Sequence, residues 1–443
     1  MRSNRYGAVA ILLAVLGGTT PVLAQGLFGG NTVGPNGGFA NYSGSGGGGE
    51  GLIDAGGLPG QDGRLNYATA PLGNPAKQGP FVYSDIAYFT QSWTLGKQLV
   101  AWRGLVDSTG VVTGVPGTFI GSGVRALSTD QFGRTEYAPG LNLGIGWKFE
   151  DGSSVTARIM HISGQTFGAS ASLASQYARS NVSLSDTFLV SGVFNFPPQF
   201  AGPDRKTAFE GTFIGRVVDP TTGAVLVPGT LVPDRAFYGL WNGASNMSIE
   251  YKRWYTEAEI GGRTPLFESN TSKVYAIGGM RYHMFMERFH WLTQDFDLNG
   301  NTGGRFEADY DNILSQRMYG PYIGCSHDLY LKNNFSLSVD LTGGLMANFI
   351  KERAYYELGD NTVKAKRARN AIDLVPTAGG NVNLWWYPVK GIQMRVGYSA
   401  NTFYNTRNIQ DPIGFNYGAI DPVYGTQYFR IIHGLNVGVG VFF

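Results

Sequence analysis

Polarity alternates with a period of two through Gln427 to Phe443 (QYFRIIHGLNVGVGVFF). Leu435, Val437, Val439, Val441 and Phe443 share one face of an extended chain, while Arg430, Gly434, Asn436, Gly438 and Gly440 share the other. The period recurs upstream. Ile392, Met394, Val396, Tyr398 and Ala400 oppose Gln393, Arg395, Gly397, Ser399 and Asn401; Phe335, Leu337, Val339 and Leu341 oppose Ser336, Ser338, Asp340 and Thr342; Leu141, Leu143, Ile145 and Trp147 oppose Asn142, Gly144, Gly146 and Lys148. An apolar face opposite a Gly/Asn/Arg face suits a strand placed between lipid and a polar lumen.

Such stretches predict strands over 81–93, 137–150, 153–165, 244–262, 272–289, 313–331, 334–350, 368–388, 390–405 and 427–443. Short and long connections take turns. The short ones are Glu150-Asp151-Gly152, Lys332-Asn333-Asn334, Tyr387 to Gly391 and a moderate turn from Thr264 to Thr271; the long ones are 94–136, 166–243, 290–312, 351–367 and 406–426. Transmembrane barrels place short turns in the periplasm and long loops outside, whereas a soluble sandwich has no reason to alternate loop lengths. The expected fold is therefore all-β, a transmembrane antiparallel up-and-down barrel of about ten strands. Eight or twelve stay open, because Asn181 to Phe194 is also β-like.

The chain's ends add a compartment. Arg2 and Arg5, the short apolar stretch Ala8 to Leu16, and Val22-Leu23-Ala24 before Gln25 read as an export signal over 1–24. The closing strand ending on Phe443, with Leu435, Val437, Val439 and Val441, reads as the signal by which bacterial outer-membrane barrels are recognised for insertion. Residues 25–80, with SGSGGGGEG at Ser43 to Gly51, bury too little apolar surface to fold and read as a disordered periplasmic tail; the barrel takes 81–443. Lys plus Arg (34) nearly balances Asp plus Glu (32), which argues against a nucleic-acid partner. Cys325 is the only cysteine, so no internal disulfide and no Cys-based metal site is available. After the signal no apolar run is long enough for a spanning helix, which needs about 20 residues. The expected partners are outer-membrane lipid and the barrel-insertion machinery.

Face assignment predicts a charged lumen. Asp85, Glu250, Glu287, Asp328, Asp340 and Asp373 are set against Lys148, Arg158, Lys252, Arg281, Arg395 and Arg430, with His283 beside them. A barrel of about ten strands has a lumen scarcely wider than its side chains, so paired charges would fill it; the many inward glycines pull the other way by leaving room for water.

Tyr83 to Phe89 (YSDIAYF), Gly279 to Phe289 (GMRYHMFMERF), Tyr319 to Gly324 (YGPYIG), Val396 to Asn405 (VGYSANTFYN) and the closing HGLNVGVGVFF carry a likeness. On these motifs the stretch from Phe81 to Phe443 resembles the planctomycete outer-membrane β-barrel family, related to the Legionella-type pore-forming outer-membrane proteins. Where that family ends its first signature in tryptophans, this chain has Phe89 and Thr90. The resemblance implies a pore-forming barrel and offers no catalytic residue.

Nothing in the sequence builds an enzyme or a cofactor site. The histidines are His161, His283, His290, His327 and His433, and no Gly-x-Ser-x-Gly or His-Glu-x-x-His pattern occurs. His283 and Glu287, with Arg281, form a conceivable proton-transfer group, read instead as a lumen network. Asp295, Asp297 and Asn299 match the opening of a calcium loop. Position twelve is Phe306, Glu307 comes one residue late and the flanks are strands, so an Asp/Asn/Gly hairpin loop is the preferred reading. The function expected from the glycine-rich inner faces and the resemblance is a passive, porin-like channel for small polar solutes or ions; the alternative is a non-conducting structural or adhesive surface barrel that meets partners through loops such as Phe196 to Pro203 and Val217 to Pro233.

Overall fold

The computed structural model describes residues 78–107, 118–172, 187–195, 239–269 except 243, 271–295, 304–331, 334–362, 364–389, 391–417 and 423–443, with isolated residues and short pieces between 114 and 231. The expected export signal and tail lie outside the described residues, apart from the tail's last few. Ten strands form a closed barrel: β1 (Gly79–Gln91), β2 (Ala138–Lys148), β3 (Ser154–Ser172), β4 (Asn246–Glu268), β5 (Ser272–Gln294), β6 (Glu307–Tyr330), β7 (Phe335–Leu358), β8 (Lys364–Val389), β9 (Ile392–Asp411) and β10 (Val423–Phe442). Each pairs antiparallel with its neighbour in the chain, and β10 pairs with β1 to close the ring. Closure removes the sheet edges, whose unpaired backbone groups would cost several kcal/mol each in hydrocarbon.

The registers align the apolar outward positions into rows. Leu141, Ile86, Val437, Val396, Leu384, Leu337 and Leu329 follow one another across seven adjacent strands. Ile86 is 69% exposed and Ile323 75%, and Ile260, Leu374, Val396 and Val437 are exposed with them. A continuous apolar belt around a closed barrel is the surface of a membrane-spanning protein, because in water it far exceeds the patches that monomers expose. Among the described residues no helix is long and apolar enough to cross a bilayer, so the strands form the only spanning surface seen there.

Strands β4 to β8 run 23 to 26 residues, well beyond the 9–11 or so that a tilted strand needs to cross. The excess projects at the end opposite the short turns, and there the alternation inverts. On β5 the outward Met280, Met284 and Met286 give way to Arg288, His290 and Gln294, while the inward Arg281, His283 and Glu287 give way to Phe289 and Trp291. On β7 the outward Leu345 and Phe349 are followed by Lys351 and Arg353, and Ile350, Ala354 and Tyr356 point in. Above the membrane the barrel wall therefore follows the rule of a soluble protein, apolar inside and polar outside.

That inner apolar wall packs on a lid. Strands Leu99–Asp107, Thr118–Ser128 and Thr187–Ser191 form a separate three-stranded sheet with 99–107 in the middle. The β-like stretch 181–194 thus contributes a lid strand and not a barrel strand, which excludes twelve. Beneath the lid, Trp241, Trp291, Tyr310, Tyr356 and Tyr417 form one buried cluster, with the Tyr356 and Tyr417 rings stacked at 3.8 Å. The connection expected over 351–367 is instead a hairpin, since β7 continues to Leu358 and β8 starts at Lys364. At the other end, Gly152 (φ +82) turns β2 into β3, where its N–H donates to the Phe149 carbonyl at 3.1 Å.

Val437 sits mid-belt between Ile86 and Val396. Val437→Arg is expected to cost about 2–4 kcal/mol of barrel stability, read by urea unfolding in lipid vesicles.

Candidate functional site

The lumen is the candidate site, and it is layered. Strand pairing fixes which side chains enter it, because directly paired residues share a face. Asp85, Lys148, Arg158, Arg281, His283, Glu287, Asp328, Asp340, Asp373, Arg395 and Arg430 all fall on the inward face. Glu250 and Lys252 do not. They project from the outer wall of β4 and pair with each other at 2.7 Å, 37% and 43% exposed. They lie on the part of β4 beyond the membrane, where a polar residue faces water on the outside. The inward residues there are Met247, Ile249, Tyr251 and Arg253.

Near the short turns, Arg263 donates to Asp328 at 2.7 Å and to Ser326 at 2.9 Å, and its guanidinium lies 3.7 Å from the Tyr275 ring centre. Above this layer is a polar chamber of about 190 Å³ lined by Asn142, Arg158, Glu259, Arg281, Asn383 and Arg395, among others. Charges there are matched. Arg395 binds Asp85 through two nitrogens, Nε at 2.9 Å, and Asn142 donates to the same carboxylate at 2.6 Å. Arg158 and Arg281 donate to Glu259 at 2.8 and 2.7 Å, Arg158 also to Glu257, and Tyr322 completes the Glu259 shell at 2.7 Å. Among the described residues no donor reaches the buried side-chain oxygens of Asn142, Asn383, Asn436 and Gln393 there. Buried acceptors of this kind are met by water or by a polar solute.

The inward glycines are seats for neighbouring side chains. A Cβ on Gly144 or Gly146 would lie 2.1 Å from the ring of Tyr83 or Phe81, and one on Gly261 would lie 2.1 Å from the Tyr322 hydroxyl. Aromatic groups thus take up the space at these three glycines, while polar side chains do so at Gly397, Gly438 and Gly440.

The chamber is roofed by an apolar layer to which every strand contributes: Ala87 and Phe89, Ala138, Met160 and Ile162, Tyr255, Phe285, Met318, Met346, Val375, Phe403 and Ile432. Phe403 of β9 meets Phe285 of β5 edge-on at 5.0 Å and His283 at 4.8 Å, reaching across the bore. Directly above, Arg430 of β10 donates to Glu287 of β5 at 2.5 Å. Those strands are five places apart in a ring of ten, so the pair spans the full diameter. Both side chains are essentially inaccessible, at 0% and 1%. Arg430 also caps the Phe285 ring at 4.5 Å and donates to the Arg407 carbonyl at 3.0 Å.

The chain beyond β1 turns inward to lock this layer. Thr94 donates to Glu287 at 2.9 Å and shares a hydrogen bond with Tyr251 at 2.7 Å, and Trp93 packs against Phe167 and Tyr251. Arg407 joins Glu352 and Asp373 at 2.7 and 3.0 Å.

His283 and Glu287 are not brought together. His283 Nδ1 lies 2.7 Å from the Tyr255 hydroxyl, whereas Glu287 serves Arg430. Of the calcium-loop motif only Asp295 is described; it accepts the Ser245 hydroxyl, and Asp297 and Asn299 lie outside the described residues. The sequence reading missed Arg253, Glu257, Glu259, Arg263, Glu352 and Arg407. For Glu257 and Glu259 the signal was present: they alternate with Ala258 and Ile260, which belong to the belt.

No family profile matches the chain, and no curated protein matches it in sequence. Among solved structures, the outer membrane protease OmpT from Escherichia coli is similar over 82% of this chain and 97% of its own, at 9% identity and a TM-score of 0.38. A FadL homologue from Pseudomonas aeruginosa covers 88% and 95%, at 10% identity and 0.23. The Pseudomonas putida toluene transporter TodX covers 87% and 95%, at 8% identity and 0.20. Superpositions this loose leave the function to the chain's own residues.

On the outer wall beyond the membrane, His290 lies 3.4 Å from Asp309 and 3.3 Å from Asp311, and Arg288 grips Asp311 at 2.5 Å. Burial pulls the His290 imidazole down, but the contacts with Asp311 and Asp309 outweigh it and hold it above its usual 6.5. Burial raises the Asp311 carboxyl, yet His290, Arg288 and Tyr355 hold it well below the ordinary range. A raised histidine stabilises fully below its unfolded value and loses that contribution as pH climbs through the folded one; Asp311 keeps its contribution until acid protonates it. Amide exchange at Trp291 and Tyr310, corrected for intrinsic rate, is therefore expected to speed up between pH 6 and pH 8 in the wild type. His290→Gln should remove that dependence.

Proposed function

We propose that the chain is an outer-membrane barrel, closed across its bore, that acts through the surface it presents beyond the membrane. The observation behind this reading is the buried Arg430–Glu287 pair spanning the lumen over the Phe285–Phe403 contact. A solute passing that layer must separate two desolvated charges, and leaving one such charge unpaired costs about 3–5 kcal/mol. The short turns, in this reading, face the periplasm and the lid faces outward. The segment after β9 ties the lid to the wall: Tyr310 and Asn312 of β6 both donate to its Pro412 carbonyl at 2.9 Å, and its Ile413 exchanges two 2.9 Å bonds with Gln98, the residue before the first lid strand. It is a fixed platform for partners, in keeping with a structural or adhesive role. Segments 196–203 and most of 217–233 lie outside the described residues.

The second reading is a passive channel. It is favoured by the polar chamber below the seal, with its unmatched amide oxygens, and by the resemblance to the planctomycete and Legionella-type pore-forming families. Conduction then requires the segment from Ser92 to Gln98 and the Arg430–Glu287 pair to move aside.

Single-channel recording of the refolded chain in a planar bilayer separates the two, with an Arg395→Ala/Arg430→Ala variant beside it. The wild type is expected to be silent, and the variant to leak once the cross-bore pair is cut. Discrete steps in the wild type, with ion selectivity altered in the variant, would support the channel.

A further inference from the structure

We propose that the outer wall of β6 to β8, just beyond the apolar belt, docks the phosphorylated headgroup of an outer-leaflet glycolipid. The inference rests on the orientation given above, with the lid outward. The belt ends on this wall at Tyr319, Phe349 and Ile372, all outward, with Phe349 paired to Ile372. Cations follow at once. Arg317 is paired with Phe349; Lys351 stands between Ser315 and Asn370; Arg353 lies two residues further on; Lys366 is paired with Tyr355. All four are exposed and on the outward face. Neighbouring strands lie about 4.8 Å apart and same-face residues on one strand about 7 Å apart, so these charges form a file about 20 Å long leading away from the belt, along which long side chains can converge on the phosphates of a headgroup.

The nearby carboxylates are already engaged. Glu357 binds Lys364 at 2.6 Å, Glu352 binds Arg369 and Arg407 at 2.6 and 2.7 Å, and Asp311 binds Arg288. Among the described residues none pairs with Arg317, Lys351, Arg353 or Lys366, so the patch carries uncompensated positive charge. Part of the basic run 364–369 has another explanation. The pairing of β8 with β9 begins only at Thr377, so beyond the belt 364–371 forms an edge, and charged side chains guard edges against further pairing. That accounts for Arg367 and Arg369. It does not account for Arg317, Lys351 and Arg353, which stand on strands paired on both sides. An acyl chain along Phe349 and Ile372 with phosphates against the guanidinium and ammonium groups satisfies both halves of the surface.

The test uses the folded barrel in detergent, stripped of lipid and titrated with diphosphoryl lipid A, phosphatidylglycerol or phosphatidylcholine, with bound lipid counted by native mass spectrometry. The wild type is compared with Arg317→Gln/Lys351→Gln/Arg353→Gln/Lys366→Gln and with the smaller Lys351→Gln/Arg353→Gln, each checked for the heat-modifiable gel shift of a folded barrel. The expected result is at least about a tenfold loss of lipid A retention in the fourfold variant, about 1.4 kcal/mol, and a smaller loss in the twofold one, with phosphatidylcholine unchanged. Equal retention of lipid A by the wild type and a folded variant overturns the proposal. A preference for phosphatidylglycerol that the variants lose overturns both the glycolipid assignment and the orientation. A wild type with no heat-modifiable form overturns the membrane reading itself.

Discussion

The bore of this barrel is held by one contact that the ring geometry makes expensive and satisfies in part. Arg430 and Glu287 stand on opposite strands, meet in the centre and are cut off from solvent. Transferring two such charges out of water costs several kcal/mol per ion, recovered only if geometry and additional hydrogen bonds are good. Here Thr94 and the Arg407 carbonyl supply part of them, and Phe285 gives the guanidinium a ring to cover, while Glu287 Oε2 and Arg430 Nε are buried with no hydrogen-bond partner among the described residues. Three features meet at this pair: the packing of Phe403 onto Phe285, the inward path of the chain after β1, and the layer between the polar chamber and the lid.

Ten strands make this possible. At that number the interior is little wider than two long side chains, so an arginine and a glutamate from opposite walls can meet without backbone distortion. The chamber below shows the same economy at shorter range, since Arg395, Arg158 and Arg281 each find carboxylates on nearby strands.

All ten strands were legible in the sequence because lipid on one side and a polar lumen on the other impose a strict period of two. The outer halves of the long strands were not, and the reason is physical. Where β4, β5 and β7 leave the membrane the solvent on the outside changes from lipid to water, and the lid replaces the polar lumen on the inside. The period of two survives while its sign reverses, so Glu250 and Lys252 read as lumen residues under a single rule and Glu257 and Glu259 went unseen. The glycines were misread for a related reason: Gly144 and Gly146 alternate as lumen residues should, but only the register with Tyr83 and Phe81 shows that rings occupy their places. The pairing of Arg430 with Glu287, 143 residues apart in the chain, follows from ring closure, which no local pattern encodes.

The most direct test of the central contact is a double-mutant cycle on Arg430→Ala and Glu287→Ala, with unfolding free energies measured in lipid vesicles. If the pair closes the bore, each single variant is strongly destabilised by the charge it strands. The double variant is then less destabilised than the sum of the two, with a coupling of about 1–3 kcal/mol. Additive effects within about 0.5 kcal/mol would mean that the two charges do not meet, and that the bore is not held shut by them.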